Sequence, residues 1–225
     1  MLTLGFDTAT PACTVALVED GNLLVELTVI HPRVHGVRLM PLIAQALAEA
    51  GRPRSDLTGV AVGIGPGSFT GLRVGLATAK GLAFALGLPV APVGTLDAMA
   101  HGLAGAGLPV APMLDARRAA VYAAFFDGGR RLIGPRVVPV SEWLEEVDRL
   151  RDGRPVLSPG EWPAGIDPAV RPGWLLPAPA GDRWPRGWAV AALGEVILRE
   201  GRGVTADAVV PVYLRPGPAL QVGPE

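Results

Sequence analysis

Apolar positions along this chain fall into short blocks separated by glycine, proline and charged residues, and the blocks predict an ordered mixture of strands and helices. Residues 2–6, 14–18 and 23–29 read as strands, with Asp20-Gly21 as a hairpin turn between the last two. From 35 to 50, Val37, Met40, Ile43, Ala44 and Leu47 recur at helical spacing, and Gly51 and Pro53 close the segment. A short buried strand follows at 60–64, then a helix at 70–86, a strand at 90–93 and a helix at 95–103.

The second half repeats this plan. Residues 110–114 form an apolar strand ending in Asp115, as 2–6 ends in Asp7. A strand at 121–126, the turn Asp127-Gly128-Gly129, a strand at 132–138 and a helix at 141–150 follow, with Glu142 and Glu145 favouring the helix start. Two β-β-β-α units in series predict a duplicated α/β fold with lobes at 1–106 and 107–225 and a ligand cleft between them. The stretch 158–188 is rich in Pro, Gly and Trp and reads as an irregular excursion. Trp162, Trp174, Trp184 and Trp188 are expected to cover the smaller core. Residues 188–200 resume as a helix, whose docking on the first lobe is left open, and 216–225 read as a mobile tail.

The helix at 70–86 carries only Arg73 and Lys80 as charges, so it lacks the polar stripe of an ordinary surface helix. Gly71, Gly75, Ala79 and Ala83 lie four apart and would form a shallow groove, beside two ridges, one of Leu72 and Leu76 and one of Val74, Leu82 and Leu86. Glycine inside a helix costs roughly 1 kcal/mol against alanine, and close helix–helix packing would offset that. The segment is either buried by its own domain or covered by another polypeptide. The second reading is favoured, with the 35–50 helix alongside contributing His35, Leu39, Met40, Ile43 and Leu47. On that reading Gly75→Leu or Ala79→Glu would abolish pairing without unfolding the chain.

Composition narrows the class. The 225 residues are 49% hydrophobic with one cysteine, Cys13, which excludes an internal disulfide and suits the cytoplasm. No run approaches the roughly 20 uninterrupted apolar residues of a membrane span, and no basic stretch precedes the first apolar residues as in a secretory leader. A net charge of −1 attracts neither membrane nor nucleic acid globally. If the protein serves RNA chemistry, another subunit is expected to supply most of the phosphate contacts.

Candidate chemistry centres on Gly65, Pro66, Gly67, Ser68, Phe69, Thr70 and Arg73, a glycine-rich turn running into a helix. Gly65 and Gly67 permit positive φ or close backbone approach, and Ser68 or Thr70 can cap the helix. Such a loop either holds an anion or brings a helix close to a neighbour. It lacks the Lys-Ser/Thr of a phosphate-binding P-loop and misses the dinucleotide spacing. His31 and His35 stand four apart, but Pro32 disrupts a shared helical face and no carboxylate completes a metal site. Asp7 and Asp115 are candidate cleft residues, or else carboxylates that cap strand-end turns. Neither Ser68 nor Thr70 has a base nearby in sequence, so no catalytic residue is assigned.

Phe6-Asp7-Thr8-Ala9-Thr10, Arg33-Val34-His35, Leu39-Met40-Pro41-Leu42-Ile43, the block from Gly65 to Gly75, Leu114-Asp115-Ala116-Arg117-Arg118 and Pro211-Val212-Tyr213-Leu214-Arg215 together resemble the bacterial TsaB (YeaZ) family. Gly36 departs from the serine usual there. The resemblance implies an α/β fold of two actin-like (ASKHA, RNase H-like) lobes. It also implies a cytoplasmic, non-catalytic subunit that pairs with its larger paralogue TsaD, which carries the metal and the transfer chemistry, while the ATPase TsaE cycles the complex. The product is threonylcarbamoyladenosine (t6A) beside the anticodon of tRNAs reading A-starting codons, so tRNA is met indirectly. Alone, such a chain is expected to form a homodimer through the same face. No cofactor is required by this chain, and ATP or ADP at the complex boundary is left open. The competing classes are a stand-alone actin-like ATPase or sugar kinase and, less favoured, a peptidase.

Overall fold

A computed structural model describes residues 1–31 and 35–215. Arg33 and Val34 of the sequence motif and the 216–225 tail lie outside the described residues. The first half builds a five-stranded sheet, ordered β3-β2-β1-β4-β5, from β1 (Leu2–Asp7), β2 (Ala12–Glu19), β3 (Asn22–Ile30), β4 (Gly59–Gly63) and β5 (Val90–Val93). β1 pairs antiparallel with β2 and parallel with β4, and β4 runs parallel to β5. The β2–β3 hairpin closes at Asp20 and Gly21, both at positive φ, as a tight Asp-Gly turn requires.

Strands buried on both faces read as continuous apolar runs, and the alternation of side chains sorts each run into two layers. Leu4 and Phe6, Val15 and Leu17, and Val60 and Val62 join one core with Leu39, Ile43, Leu76, Ala79 and Ala83. These last five come from helices α1 (His35–Glu49) and α2 (Phe69–Leu86). On the opposite face Ala61 and Ala91 pack with Ala189 and Val190 of α5 (Gly187–Arg199). The final helix thus sits on the first sheet. Glycines make that approach possible: a methyl on Gly5 would meet Ala191 Cα at 2.6 Å, and one on Gly187 would meet Val15 C at 2.7 Å.

The second sheet is smaller. β6 (Met113–Asp115), β7 (Ala120–Asp127) and β8 (Arg130–Pro139) form an antiparallel meander. The parallel pair β9 (Val156–Ser158) and β10 (Leu175–Pro177) joins it through bridges at Val110–Leu157 and Met113–Gly160. Helix α4 (Val140–Leu150) covers this sheet with Trp143 and Val147 fully buried. A separate cluster between the sheets unites Ala12, Leu96, Met99, Leu114, Phe126 and Trp184; Leu96 and Met99 belong to α3 (Thr95–His101). The tryptophans therefore divide. Trp162 and Trp174 pack on the smaller core as expected, but Trp184 fills the seam between the sheets and Trp188, in the first turn of α5, packs against His101 of α3.

Candidate functional site

Between the sheets lies a cleft of about 1040 Å³. Its walls come from the β1–β2 turn at Ala9 and Thr10, the glycine-rich loop and first turn of α2, the β6–β7 turn at Asp115 and Arg117, and the segment from Val212 to Arg215. His35, Tyr122, Glu161 and Trp184 complete it.

The glycine-rich loop owes its residues to contacts within the chain. Gly65 takes φ +108°, a conformation that side-chain-bearing residues rarely adopt. Gly67 does not use positive φ; its value is close approach, since a Cβ there would collide with the Ala9 carbonyl. The loop is fastened at several points. Ser68 N–H donates to Ala9 O at 2.7 Å, Thr95 N–H to Gly65 O at 2.8 Å, and Val212 N–H to Ile64 O at 2.8 Å. Ser68 is the helix cap, its Oγ accepting from Gly71 N–H at 3.2 Å. Of the two uses a glycine-rich turn can have, this one delivers a helix at short range, onto the β1–β2 turn of its own sheet.

That arrangement corrects the predicted groove. A Cβ on Gly71 would collide with the Thr8 carbonyl, and one on Gly75 would stand 2.5 Å from Thr8 Oγ1. Thr8 Oγ1 in turn donates to Gly71 O at 2.7 Å. Gly71, Leu72, Gly75, Leu76, Ala79 and Ala83 are all buried by the protein itself, as are Leu39 and Ile43. Leu47 and Leu82 are half-buried against the same core. Of the residues expected at a partner interface, only Met40 is exposed and His35 is half-exposed. The stripe of small residues lets a helix settle on a sheet, and Gly75→Leu would break that packing.

The outward sides of the two helices nevertheless expose several large apolar side chains beside Arg38, Gln45, Glu49, Thr70 and Arg73. Phe84 is 86% exposed and Val37 71%, with Met40 at 49%. Pro41 and Ala44 on α1, and Ala77, Gly81 and Ala85 on α2, are exposed as well. Sequence reasoning named Met40 here and missed Phe84. The signal was present, because Phe84 lies one residue, about 100° of helical turn, off the small-residue register and so beside the buried stripe rather than in it.

The two candidate carboxylates part company. Asp115 lines the cleft and accepts from Arg117 N–H at 2.7 Å. Asp7 is fully buried beneath it, accepting from Ala9 N–H at 2.6 Å and Thr95 Oγ1 at 2.8 Å. Burial pushes its carboxyl up to about 6, against the opposing pull of those two donors. Asp7 ties the end of β1 to the start of α3 and presents nothing to the cleft. Its reading as a turn-capping carboxylate stands, and its reading as a cleft ligand does not. His35, at the cleft edge, has its pKa lowered by burial.

The β6–β7 turn is strained. Arg117, Arg118 and Ala119 are consecutive non-glycine residues at φ +67°, +53° and +54°. Arg215 holds it, donating from Nη1 to Ala116 O at 2.6 Å.

Comparison with known proteins decides the family. A family model described as TsaD, tRNA N6-adenosine threonylcarbamoyltransferase, matches residues 29–153. The tRNA threonylcarbamoyladenosine biosynthesis protein TsaB of Escherichia coli is 33% identical, with 96% of this chain and 95% of that one covered. This chain belongs to the TsaB family, and the TsaD family model also matches it. An uncharacterised protein of Mycobacterium tuberculosis is 45% identical over 136 residues, and there the match spans 63% of the relative's length. Among solved structures, YeaZ from Pseudomonas aeruginosa superposes with a TM-score of 0.76 at 30% identity, covering 95% of this chain and 99% of that one. The Clostridium difficile activator of 2-hydroxyisocaproyl-CoA dehydratase, 10% identical with a TM-score of 0.53, shares the fold alone. The fold is the actin-like ASKHA type, mixed sheets flanked by helices.

Proposed function

We propose that this protein is an accessory subunit in the formation of threonylcarbamoyladenosine in tRNA, and that it acts by pairing with the catalytic paralogue TsaD rather than by chemistry of its own. The observation that carries the reading is the exposed apolar flank of α1 and α2, centred on Val37, Met40 and Phe84. Isolated apolar residues on a surface are ordinary, but Phe84 and Val37 are the two most exposed large apolar side chains described, and such surface on a pair of packed helices suits a partner. Its place in a chain similar to TsaB from end to end supports TsaD as that partner, with TsaE joining the assembled complex. Lobes at 1–106 and 107–225 suit this role if α5 is counted with the first lobe, because α5 stiffens the sheet from behind while α1 and α2 face outward. Without its partner the chain covers the same flank by forming a homodimer.

The test is co-purification with tagged TsaD. The wild-type chain is expected to be retained, and Phe84→Asp to be lost while its melting temperature stays unchanged. Retention of Phe84→Asp at wild-type levels would contradict the assignment of the face.

The cleft favours a second reading, a stand-alone actin-like nucleotide-using enzyme. The crowding of Gly67 and Gly71 onto the Ala9 and Thr8 carbonyls weighs against it, because backbone oxygens then occupy the loop where a phosphate would need donors. Titration of the isolated protein with ATP separates the two readings: tight binding with turnover supports the enzyme, and no saturable binding supports the accessory subunit.

A further inference from the structure

The cleft mouth brings arginines without carboxylate partners next to stacked aromatic rings. Elsewhere Arg52, Arg131, Arg154, Arg186 and Arg199 each sit against a carboxylate, while Arg38, Arg54, Arg130 and Arg149 are exposed without one among the described residues and stand away from any cleft-lining aromatic ring. Arg117 and Arg118 are exposed on the strained β6–β7 turn, and neither makes an ion pair among the described residues. Arg215 reaches only backbone carbonyls, so its charge is also uncompensated. Beside them stands an aromatic ladder. The Arg73 guanidinium lies 4.0 Å over the Phe69 ring, and Phe69 packs on Tyr213 with centroids 5.0 Å apart at 33°. Tyr213 is 41% exposed, leaving part of its surface open at the cleft.

We propose that this rim binds single-stranded RNA, with one unpaired base stacked on Tyr213 and the flanking phosphates held by Arg117 and Arg118. The inference rests on the proposed role in tRNA modification for the identity of the RNA, but its physical basis is separate. Unpaired bases are recognised by stacking on aromatic rings and on guanidinium planes, with arginines following the phosphates. The rim offers both at one cleft, which Arg117, Arg215 and Tyr213 line, with Arg118 next along the same turn. Asp115 and Glu161, which also line the cleft, repel phosphate from their own stretch of wall and leave the arginine-bearing turn as the favoured track. The strain in that turn is consistent with a segment held for contact, since Arg215 and the Asp115 carboxylate both fix its backbone. On the proposed reading the α1–α2 flank pairs through its apolar side chains, so RNA at the rim does not compete with it for the same chemistry.

The experiment measures fluorescence anisotropy of a labelled anticodon stem-loop RNA with the purified full chain, at low and then rising salt. Saturable binding is expected with Kd on the order of 10⁻⁵ M at low salt. Arg117→Ala with Arg118→Ala is expected to weaken it about tenfold and to reduce the salt slope by roughly 1.4, the share of two phosphate contacts on a single strand. Tyr213→Leu is expected to weaken binding about fivefold or more, and Tyr213→Phe to restore it, because stacking needs the ring and not the hydroxyl. If the double arginine variant does not fold, Arg118→Ala alone is read in its place. Absence of saturable binding overturns the proposal, as does wild-type affinity in the arginine and Tyr213→Leu variants. Equal affinity for heparin with no effect of Tyr213→Leu also overturns it, leaving a general polyanion contact. Pairing with TsaD is measured on the same variants. RNA binding without TsaD pairing would remove the accessory-subunit reading and keep the rim, and the converse would remove the rim alone.

Discussion

Helices α2 and α5 lie on opposite faces of the same sheet and are built from the same materials, yet only one of them is left with an open flank. Both are rich in alanine, glycine and leucine, and both use glycine to approach strands closely. Gly71 and Gly75 settle α2 on Thr8, and Gly187 and Gly194 settle α5 on β2 and β4. On α5 only Val196 and Arg199 are exposed, and Arg199 pairs with Glu195 and Asp20. On α2 the exposed side holds Thr70, Arg73, Ala77, Gly81, Phe84 and Ala85, with Phe84 almost wholly in solvent. Apolar composition therefore does not mark a partner site. On the proposed reading, what marks it is apolar surface that remains after the chain's own packing is complete.

The largest expected effect lies on the inner sides, where the two helices should behave alike. Gly71→Val and Gly194→Val each force a side chain into occupied space, Thr8 O in one case and Ala61 Cβ in the other. Each should cost roughly 3 kcal/mol or more, read as a lower urea midpoint or as loss of soluble protein. Wild-type stability in either variant would mean that the helix does not sit as described.

The outer sides should differ. Phe84→Asp is expected to cost about 2 kcal/mol of pairing free energy, near thirtyfold in Kd, with unchanged melting temperature. Val196→Asp on α5 should leave pairing untouched. Equal loss from both variants would erase the distinction between the helices.

A smaller effect tests the buried floor shared by both layers. Because the Asp7 carboxyl is raised to about 6 in the folded chain, the folded state holds its proton more tightly than the unfolded state does. Its contribution therefore makes stability fall as pH rises between about 4 and 6, with no further change above. Asp7→Asn should flatten that segment of the pH profile and raise stability at pH 7 by about 1 kcal/mol. A wild-type profile in this variant would show that Asp7 is not the buried group described. Least of all, Arg131→Ala removes a half-exposed pair with Asp97 and should change stability by under about 1 kcal/mol.

The element order was legible in the sequence because alternation, Asp-Gly turns and helix-ending glycines are local signals. The strand at 90–93 and the helix start at His35 fall where the pattern puts them. The orientation of α2 was not legible. A helix apolar on every side has no polar stripe to point away from the core, so the glycine register suited a partner and a sheet equally. Only the β1–β2 turn, 63 residues away in sequence at Thr8 and Gly71, decides between them. Asp7 is a similar case: its burial depends on Thr95, 88 residues along the chain. Whether Arg73 or Arg117 faces a ligand was not legible in the sequence, because net charge averages such charges away and the aromatic rings beside them are placed only by the fold.

The central claim is that the exposed flank of α1 and α2, and not the small-residue stripe beneath it, receives the partner. Light scattering of the chain mixed with TsaD, using Met40→Asp combined with Phe84→Asp, tests it most directly. The account predicts folded, separate components where the wild-type chain gives a complex. A complex of wild-type mass and affinity from that folded variant would contradict it.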